Sequence, residues 1–153
     1  MTATRVGSLV YGADEIVAEF VRRRIKGAEP DVFGKFPLYK AIGVIRHETL
    51  VGGIVYFNFK KAVPSIEVSI AFDTPLWATK AALHAMCDYP FNKLGVVRVT
   101  SLVARKNKRA RRMNEGVGFK LEGVVRKGFG YDDCCIYGLL RHECRWLKDK
   151  TNG

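Results

Sequence analysis

An amphipathic pattern near the start of the chain predicts a helix over Asp14–Lys26. Its apolar residues recur at spacings that form one stripe on a helical surface. They are Ile16, Val17, Phe20, Val21 and Ile25. Gly27 follows directly, where a glycine can close a helix as its C-cap. The segment Glu29–Pro37 contains Pro, Asp and Gly and predicts a loop.

Three apolar runs follow and predict strands over Tyr39–Arg46, Leu50–Lys60 and Ser65–Phe72. The first two are separated by His47, Glu48 and Thr49, a connection of hairpin length. The third run alternates strictly. Its apolar face carries Ile66, Val68, Ile70 and Phe72, whereas Glu67, Ser69 and Ala71 point to the other side.

Turn and cap signals divide the rest of the chain. Asp73-Thr74-Pro75 joins a capping residue to a proline in the first turn and predicts a helix that ends before Pro90. The later predicted elements are a strand over Val96–Ala104, a basic helix over Asn107–Val117 that stops at Gly118, and strands over Phe119–Phe129 and Cys134–Arg141. Strands outnumber helices, and two helices connect strands, so the pattern predicts one α/β (α+β) domain over residues 1–153 with a mixed sheet.

The composition is typical of one globular domain and indicates the cellular environment in which it folds. The chain has 153 residues, of which 48% are hydrophobic and 27% charged. No apolar run approaches the length of a membrane span, and the first ten residues lack the apolar core of a secretion signal. The four cysteines at 87, 134, 135 and 144 have no disulfide or zinc-knuckle spacing. Free thiols in a reducing cytoplasm are therefore expected.

The charge balance indicates anionic partners. Lys and Arg number 26 against 15 acidic residues, giving a net charge of +11. Such a field attracts nucleic acid, phosphate groups and acidic surfaces and repels small polycations, so a polyamine or an aminoglycoside is a poor substrate. Six of the eight residues in Arg105–Arg112 are basic. Two interpretations stay open for this segment. It binds the phosphates of a cofactor or of a nucleic acid, or it is the solvated face of a basic helix.

Common catalytic motifs are missing. The sequence contains no phosphate-binding G-x-x-x-x-G-K-[ST] loop, no G-x-G-x-x-G, no H-E-x-x-H and no G-x-S-x-G. His47, His84 and His142 lack the spacing of metal ligands, so no metal is expected.

Several short stretches nevertheless form a recognisable set. After the strand Val96–Ala104 come Asn107, Gly118-Phe119, Glu122-Gly123 and Arg126, and the chain closes with Asp133, Tyr137, Leu140 and Glu143. Upstream stand Ala78-Thr79-Lys80-Ala81 and Tyr89-Pro90-Phe91. Over residues 39–147 this pattern resembles the GNAT N-acetyltransferase family, in particular its ribosomal-protein N-terminal acetyltransferase branch. The ending Cys144-Arg145-Trp146-Leu147 is most similar to small members encoded by bacteriophages.

The resemblance implies a GNAT fold, with a mixed, mostly antiparallel sheet of six to seven strands and three to four helices. It implies acetyl-CoA as cosubstrate, lying between the splayed strands 65–72 and 96–104, and no metal. The implied cofactor contacts are the backbone of Ile70, Ala71 and Phe72 for pantetheine, Leu76, Trp77, Ala78, Thr79 and Lys80 for the pyrophosphate, and Asn107 and Arg112 for the distal part.

The resemblance also suggests a catalytic base. It places Glu67 on the strand beside the acetyl group, where a carboxylate takes a proton from the attacking amine. The alternative is that Glu67 lies on a wet sheet face or pairs with an arginine. The expected acceptor is a primary amine of a protein or another macromolecule, in the cytoplasm of a host cell if the protein is phage-encoded. The oligomeric state, including a homodimer, stays open.

The sequence departs from the family pattern at three places. Asp73-Thr74-Pro75-Leu76-Trp77 stands where the family has a glycine-rich pyrophosphate loop. Ala110 replaces the usual serine, and Asn114 occupies the position of a frequent tyrosine acid. Asparagine has no proton to give at neutral pH, so no general acid is carried over. These departures leave a second hypothesis, a GNAT scaffold that serves as a basic binding module for nucleic acid or an acidic host protein.

Overall fold

Eight strands and three α-helices make up the part of the chain described here, residues 3–147 of a computed structural model. The strands are β1 (Thr4–Val6), β2 (Leu9–Tyr11), β3 (Lys40–Arg46), β4 (Thr49–Lys60), β5 (Ser65–Phe72), β6 (Arg98–Ala104), β7 (Lys120–Val125) and β8 (Cys134–Leu140). The helices are α1 (Asp14–Arg22), α2 (Lys80–Asp88) and α3 (Lys108–Val117).

The strands form one sheet in the order β1-β2-β3-β4-β5-β6-β8-β7. β5 and β6 run parallel, whereas β1-β2, β2-β3, β3-β4, β6-β8 and β7-β8 are antiparallel. The predicted mixed, mostly antiparallel sheet is confirmed. Among residues 3–147 it has eight strands instead of six to seven, because the segment before α1 folds into the two short strands β1 and β2.

The chain divides into two compact units. The first comprises Met1–Phe59 and Val68–Met86, and the second comprises Lys60–Glu67 and Cys87–Gly153. β5 therefore passes from the second unit to the first between Glu67 and Val68. A single domain over residues 1–153 stays a prediction, and positions 1–2 and 148–153 of it lie outside the described residues.

The core of the first unit lies between α1 and the sheet. Val17 and Val21 of α1 are buried against β3 and β4, and Gly53 makes this close approach possible. A Cβ on Gly53 would come within 2.6 Å of Val21 and 2.9 Å of Val17. Asp14 anchors the start of the helix, because its Oδ1 accepts a hydrogen bond of 3.0 Å from the backbone N–H of Ala41.

Two boundaries in the first unit differ from the prediction. α1 ends at Arg22 instead of Lys26, because the next amides bond three residues back, Arg24 N–H to Val21 O and Ile25 N–H to Arg22 O. This tighter turn is common at helix ends. The β3–β4 turn is shorter than predicted and contains only His47 and Glu48, with φ of 51° and 61°. Two left-handed residues match the twist of a hairpin.

In the second unit, α3 packs beside β6, β8 and β7. Asn114 and Val117 of α3 are buried, and Gly118 ends the helix with φ 122°, as its sequence position predicts. The predicted strand Phe119–Phe129 is shorter than expected, since it starts at Lys120 and a loop replaces it after Val125. The predicted strand Val96–Ala104 begins at Arg98, because the amides of residues 96 and 97 bond to the carbonyls of Pro90 and Pro64.

The chain continues in a helical path past Pro90, which corrects the expectation that the helix stops there. The α-helical part ends at Asp88, and a wider turn follows over Tyr89–Lys93, closed by a 3.0 Å bond from Leu94 N–H to Tyr89 O. Proline has no N–H to donate, and the wider turn needs none at that position.

The cysteines behave as the sequence predicts. All four are free and buried in the described part of the chain. A hydrogen bond with the Cys144 thiol, together with burial, raises the pKa of Cys87, so this thiol stays protonated. No helix within residues 3–147 is long and apolar enough to cross a membrane.

Candidate functional site

Glu67 lies where the parallel pairing between β5 and β6 ends. The paired register covers Ser65–Arg98, Ile66–Val99 and Glu67–Thr100 only, although β5 continues to Phe72 and β6 to Ala104. Glu67 is half-buried. Its charge reaches the Cys134 thiol of β8, whose pKa is raised by burial first and then by the charges of Cys135 and Glu67. The carboxylate is therefore close to the β8 side of the second unit.

The three predicted pantetheine contacts, Ile70, Ala71 and Phe72, end the same strand within the first unit. Ala71 is buried in the core under α1, and the Phe72 ring stacks on Trp77 with centroids 5.6 Å apart. These two side chains are committed to packing. A ligand at this strand would therefore be bound through the backbone, which is the contact that the sequence predicts.

The turn after β5 is held by ionic and apolar contacts. Arg24, two residues after the end of α1, makes a paired contact with Asp73, with Nε and Nη2 at 2.7 and 2.8 Å from the two carboxylate oxygens. The Arg24 guanidinium also lies 3.4 Å over the Phe20 ring. Such two-pronged pairs fix orientation as well as charge. This glycine-free turn is therefore a fixed structure.

The predicted helix start at Thr74-Pro75 is correct only for a short 3₁₀ turn. Thr74 Oγ1 accepts a bond from Leu76 N–H, and the turn covers Pro75–Trp77 before α2 begins separately at Lys80. Trp77 is only 1% exposed, and Gly52 leaves room for it, since a Cβ there would come within 3.2 Å of Trp77. Its side chain belongs to the core, whereas Leu76 and Ala78 are exposed.

The N-terminus of α2 is the feature of this region that is suited to bind an anion. Thr79 caps the helix, because its Oγ1 accepts a 3.1 Å bond from Ala82 N–H. Lys80 and Ala81, the first two helical residues, are exposed, and the first turn contains no acid. Helix N-termini bind phosphate through their free N–H groups and dipole. Of the predicted pyrophosphate contacts, Thr79 and Lys80 are the two that lie at a helix N-terminus.

Asn107 lies directly before α3 and Arg112 lies on it, both in the second unit. Asn107 caps the helix through a 3.1 Å bond that its Oδ1 accepts from Ala110 N–H. Arg112 is exposed at the surface, just over one turn further along. The Asn107 oxygen therefore has a structural task, and its amide nitrogen carries the remaining hydrogen-bonding capacity.

Asn114 is the most constrained polar side chain of α3. It is fully buried, and its Nδ2 donates a 3.0 Å bond to Ser101 of β6. Its Oδ1 has no hydrogen-bond partner within the described residues. The amide thus joins helix to sheet and cannot supply a proton, which agrees with its sequence-based interpretation.

Sequence reasoning missed a buried hydroxyl network beside Asn114. The Tyr137 hydroxyl of β8 accepts a 3.0 Å bond from Arg111 Nε and donates a 3.3 Å bond to Glu115. The tyrosine is fully buried, so it holds α3 on the sheet. The i, i+4 spacing of Arg111 and Glu115 is visible in the sequence, but their shared partner on a distant strand is not.

Comparison with known proteins rests on structure. No family model matches the sequence, and no curated protein matches it. Solved structures do. A crystal structure of mutant forms of the spermidine/spermine N-acetyltransferase SpeG from Vibrio cholerae superposes with a TM-score of 0.68 at 16% identity, covering 92% of this chain and 96% of that one. A probable acetyltransferase gives 0.66 at 19% identity, covering 94% and 99%.

The chain has the GNAT fold. A third neighbour is the Vibrio cholerae spermidine N-acetyltransferase in complex with CoA and spermine, with a TM-score of 0.60 at 21% identity over 73% of this chain and 70% of that one. The GNAT fold expected from the sequence is thereby confirmed. Within residues 3–147 no group of three His, Cys, Asp or Glu side chains is placed to hold a metal ion.

Proposed function

We propose that this protein is an acetyl-CoA-dependent N-acetyltransferase that modifies a primary amine of an anionic, macromolecular acceptor. One observation supports this above all. Within a GNAT fold, β5 leaves its parallel register after three residues, at Glu67. The backbone that follows, Ile70–Phe72, lies beyond the part of β5 that pairs with β6. An extended amide-containing arm can use such backbone groups as donors and acceptors.

The residues available for the cosubstrate fit a phosphate-rich molecule. The capped start of α2 offers free N–H groups, with the Lys80 charge beside them. On α3, the Asn107 amide and the Arg112 guanidinium add a donor and a cation. When bound, acetyl-CoA would supply the acetyl thioester. Thr79, Lys80, Asn107 and Arg112 would hold its charged parts. Trp77 would stabilise the Pro75–Trp77 turn through its buried side chain.

Glu67 is the proposed base. An α-amine has a pKa near 8 and a lysine amine near 10.4, so most of either is protonated at neutral pH. The Glu67 carboxylate takes this proton directly or through a water molecule. The amine then attacks the thioester carbon, a backbone N–H stabilises the oxyanion, and the carbon–sulfur bond breaks. CoA would leave as a thiolate, and since a cysteine thiol has a pKa near 8.5, a thiol leaving group of this kind needs no strong acid.

The acceptor class follows from the charge distribution. The second unit contains 17 Lys and Arg against 8 Asp and Glu, whereas the first contains 9 against 7. A strongly basic unit attracts anionic acceptors and repels polycations. The solved neighbours are described as spermidine acetyltransferases, but at 16–21% identity they support only the fold.

We therefore expect the enzyme to prefer an acidic peptide to a polyamine. At low salt, a Glu-rich peptide with a free α-amine and no lysine should show a higher kcat/KM than spermidine, measured as release of CoA thiol. The preference should shrink as salt rises, because salt screens surface charges. A spermidine rate that exceeds the peptide rate at all salt concentrations would contradict this acceptor class.

Binding of acetyl-CoA is tested by thermal shift. Ligand at 100 times its Kd adds about 2.7 kcal/mol to the free energy of unfolding. For a chain of this size that raises the Tm by roughly 5–10 °C. Lys80→Gln should reduce this rise, whereas Lys35→Gln, an exposed lysine of the first unit, should leave it intact. Equal rises in both variants would remove Lys80 from the site.

The second candidate is a binding module without turnover, and the Asp73–Trp77 turn favours it. This turn contains no glycine and is held by the Arg24–Asp73 pair. Glycine lets backbone approach a pyrophosphate closely, and side chains here limit that approach. An unchanged Tm at saturating acetyl-CoA would select this candidate.

Finer assignments are part of the proposal. The ribosomal-protein N-terminal acetyltransferase branch and a bacteriophage source rest on the sequence pattern Asp133, Tyr137, Leu140, Glu143 and on the ending Cys144–Leu147. A cytoplasmic location rests on the free thiols. A homodimer is left open with them.

A further inference from the structure

The second unit presents a surface on which cations and aromatic rings are interleaved. We call it the basic–aromatic surface. It consists of Lys106, Lys108, Arg126, Lys127, Phe129 and Tyr131, and all six residues are exposed. The first two lie where β6 meets α3, and the other four lie in the loop between β7 and β8. The acetyl-transfer proposal does not use these residues.

Hydrogen bonds join the two parts of this surface into one structure. Arg105 N–H donates to the Asp133 carbonyl over 2.9 Å, and Lys106 N–H donates to Asp132 Oδ2 over 2.8 Å. Within the loop, Phe129 N–H donates to the Asp132 carbonyl over 3.1 Å. The lysines before α3 and the rings of the loop are thus fixed on neighbouring backbone.

The two acids of this region hold the loop in place and offset only part of its positive charge. Asp133 accepts a 2.9 Å bond from Lys127 N–H and pairs with Arg105 at 3.2 Å. These contacts hold the pKa of the Asp133 carboxyl below its usual range. Asp132 is buried and accepts from the N–H groups of Lys106 and Asp133. Residues 105–108 and 126–133 together contain five cations and two acids, so the net charge of this region is positive.

The two rings of the loop are stacked on each other while open to solvent. Phe129 and Tyr131 are 37% and 44% exposed, with centroids 6.2 Å apart and planes inclined by 23°. Stacked rings flanked by cations form a platform for bases, because every base has a π face and every nucleotide a phosphate.

We propose that the basic–aromatic surface binds single-stranded nucleic acid. The cations contact phosphates, and Phe129 and Tyr131 stack on unpaired bases. A duplex offers its phosphates but hides its bases, so stacking favours the single strand. An acidic protein would satisfy the cations alone and leave the rings without a matching partner, which makes nucleic acid the better fit.

The test is fluorescence anisotropy with the full chain, a labelled oligo-U strand and a labelled duplex of equal length. The single strand should bind more tightly, in the micromolar range or better at low salt. Phe129→Ala combined with Tyr131→Ala should weaken this binding at least fivefold, since stacking on aromatic side chains contributes about that factor or more per base. Phe59→Ala, which removes a 45% exposed ring of β4, should leave it unchanged.

Charge removal gives an independent readout. Arg126→Gln with Lys127→Gln should weaken binding and reduce the slope of log K against log salt by about 1.4, since each phosphate that is no longer neutralised on a single strand accounts for about 0.7. Lys60→Gln with Lys61→Gln removes the same charge from exposed positions elsewhere in the second unit and should leave the slope unchanged.

Three results would overturn the proposal. Equal affinity for strand and duplex, with no effect of the ring variants, would indicate a charge-only surface. Poly-glutamate that binds as tightly as oligo-U would assign the surface to an acidic protein. Absence of binding at low salt would remove it altogether. None of these depends on acetyl-CoA, so the acetyl-transfer proposal can fail or stand separately.

Discussion

Glu67→Gln should lower kcat by about 10²–10⁴-fold and leave the thermal shift by acetyl-CoA intact. Glutamine keeps the shape of the side chain but cannot accept the amine proton, and general-base catalysis typically contributes a factor of this size. The loss should shrink as the pH rises toward the amine pKa, near 8 for an α-amine, because more acceptor is then already neutral. The rate is measured as CoA thiol released with the Glu-rich peptide as acceptor.

A matched control separates a catalytic from a structural role for Glu67. Glu48 lies in the β3–β4 turn, and its exposed carboxylate pairs with Arg5 of β1. Glu48→Gln removes this carboxylate and should leave kcat unchanged. If Glu67 were only structural, the Tm would fall while kcat per folded molecule was preserved. Turnover by Glu67→Gln at the wild-type rate at neutral pH would exclude Glu67 as the base and point to water or the substrate as proton acceptor.

Trp77→Ala should reduce the free energy of unfolding by about 3–5 kcal/mol. The side chain is 1% exposed, stacks on Phe72 and fills the space left by Gly52. Truncation removes buried apolar area and leaves a cavity, and both terms destabilise. Chemical denaturation of the purified variants measures this loss.

The neighbouring residue provides the control for Trp77. Leu76 is 59% exposed in the same short turn, and Leu76→Ala should change stability by no more than about 0.5 kcal/mol. If Trp77→Ala kept its stability and instead abolished the acetyl-CoA thermal shift, the ring would contact the cosubstrate and its assignment to the core would be wrong.

The order and type of the elements could be predicted because local patterns specify them. Ser65–Phe72 is a strand within the predicted bounds, as its strict alternation requires. α3 ends at Gly118 as predicted, since a positive φ is a local need, and Asn107, where the predicted helix begins, supplies the N-cap. The predicted ends of helices and strands were wrong where residues near those ends make contacts with another part of the chain. Arg24 contacts Asp73, and the chain after Arg22 leaves the α-helical path.

The sequence predicted which residues belong to the candidate site, but not which of them pack in the core and which remain available to a ligand. Sequence grouped Leu76–Lys80 as one phosphate-binding stretch. The structure separates them, because Trp77 is drawn into the core and Thr79 begins a new helix. Burial of a large ring depends on the space that distant residues leave, here Gly52, and no local pattern reports that space.

The residues of the basic–aromatic surface could likewise be seen in the sequence, but their spatial grouping could not. The interleaved residues Arg126, Lys127, Phe129 and Tyr131 are visible in the sequence. Their union with Lys106 and Lys108 depends on hydrogen bonds that Asp132 and Asp133 make with residues far back in the chain.

The sequence by itself determined the alternation of strands and helices, the end of α3 at Gly118, the strongly basic charge and the free state of its thiols, since each depends on residue type and near neighbours. Tertiary structure alone decided that β5 parts from β6 after Glu67, that Trp77 is core, and that Asp132 and Asp133 fix a loop of exposed rings. These features arise from contacts between residues far apart in the chain, where burial and hydrogen-bond partners are set by what the fold brings together.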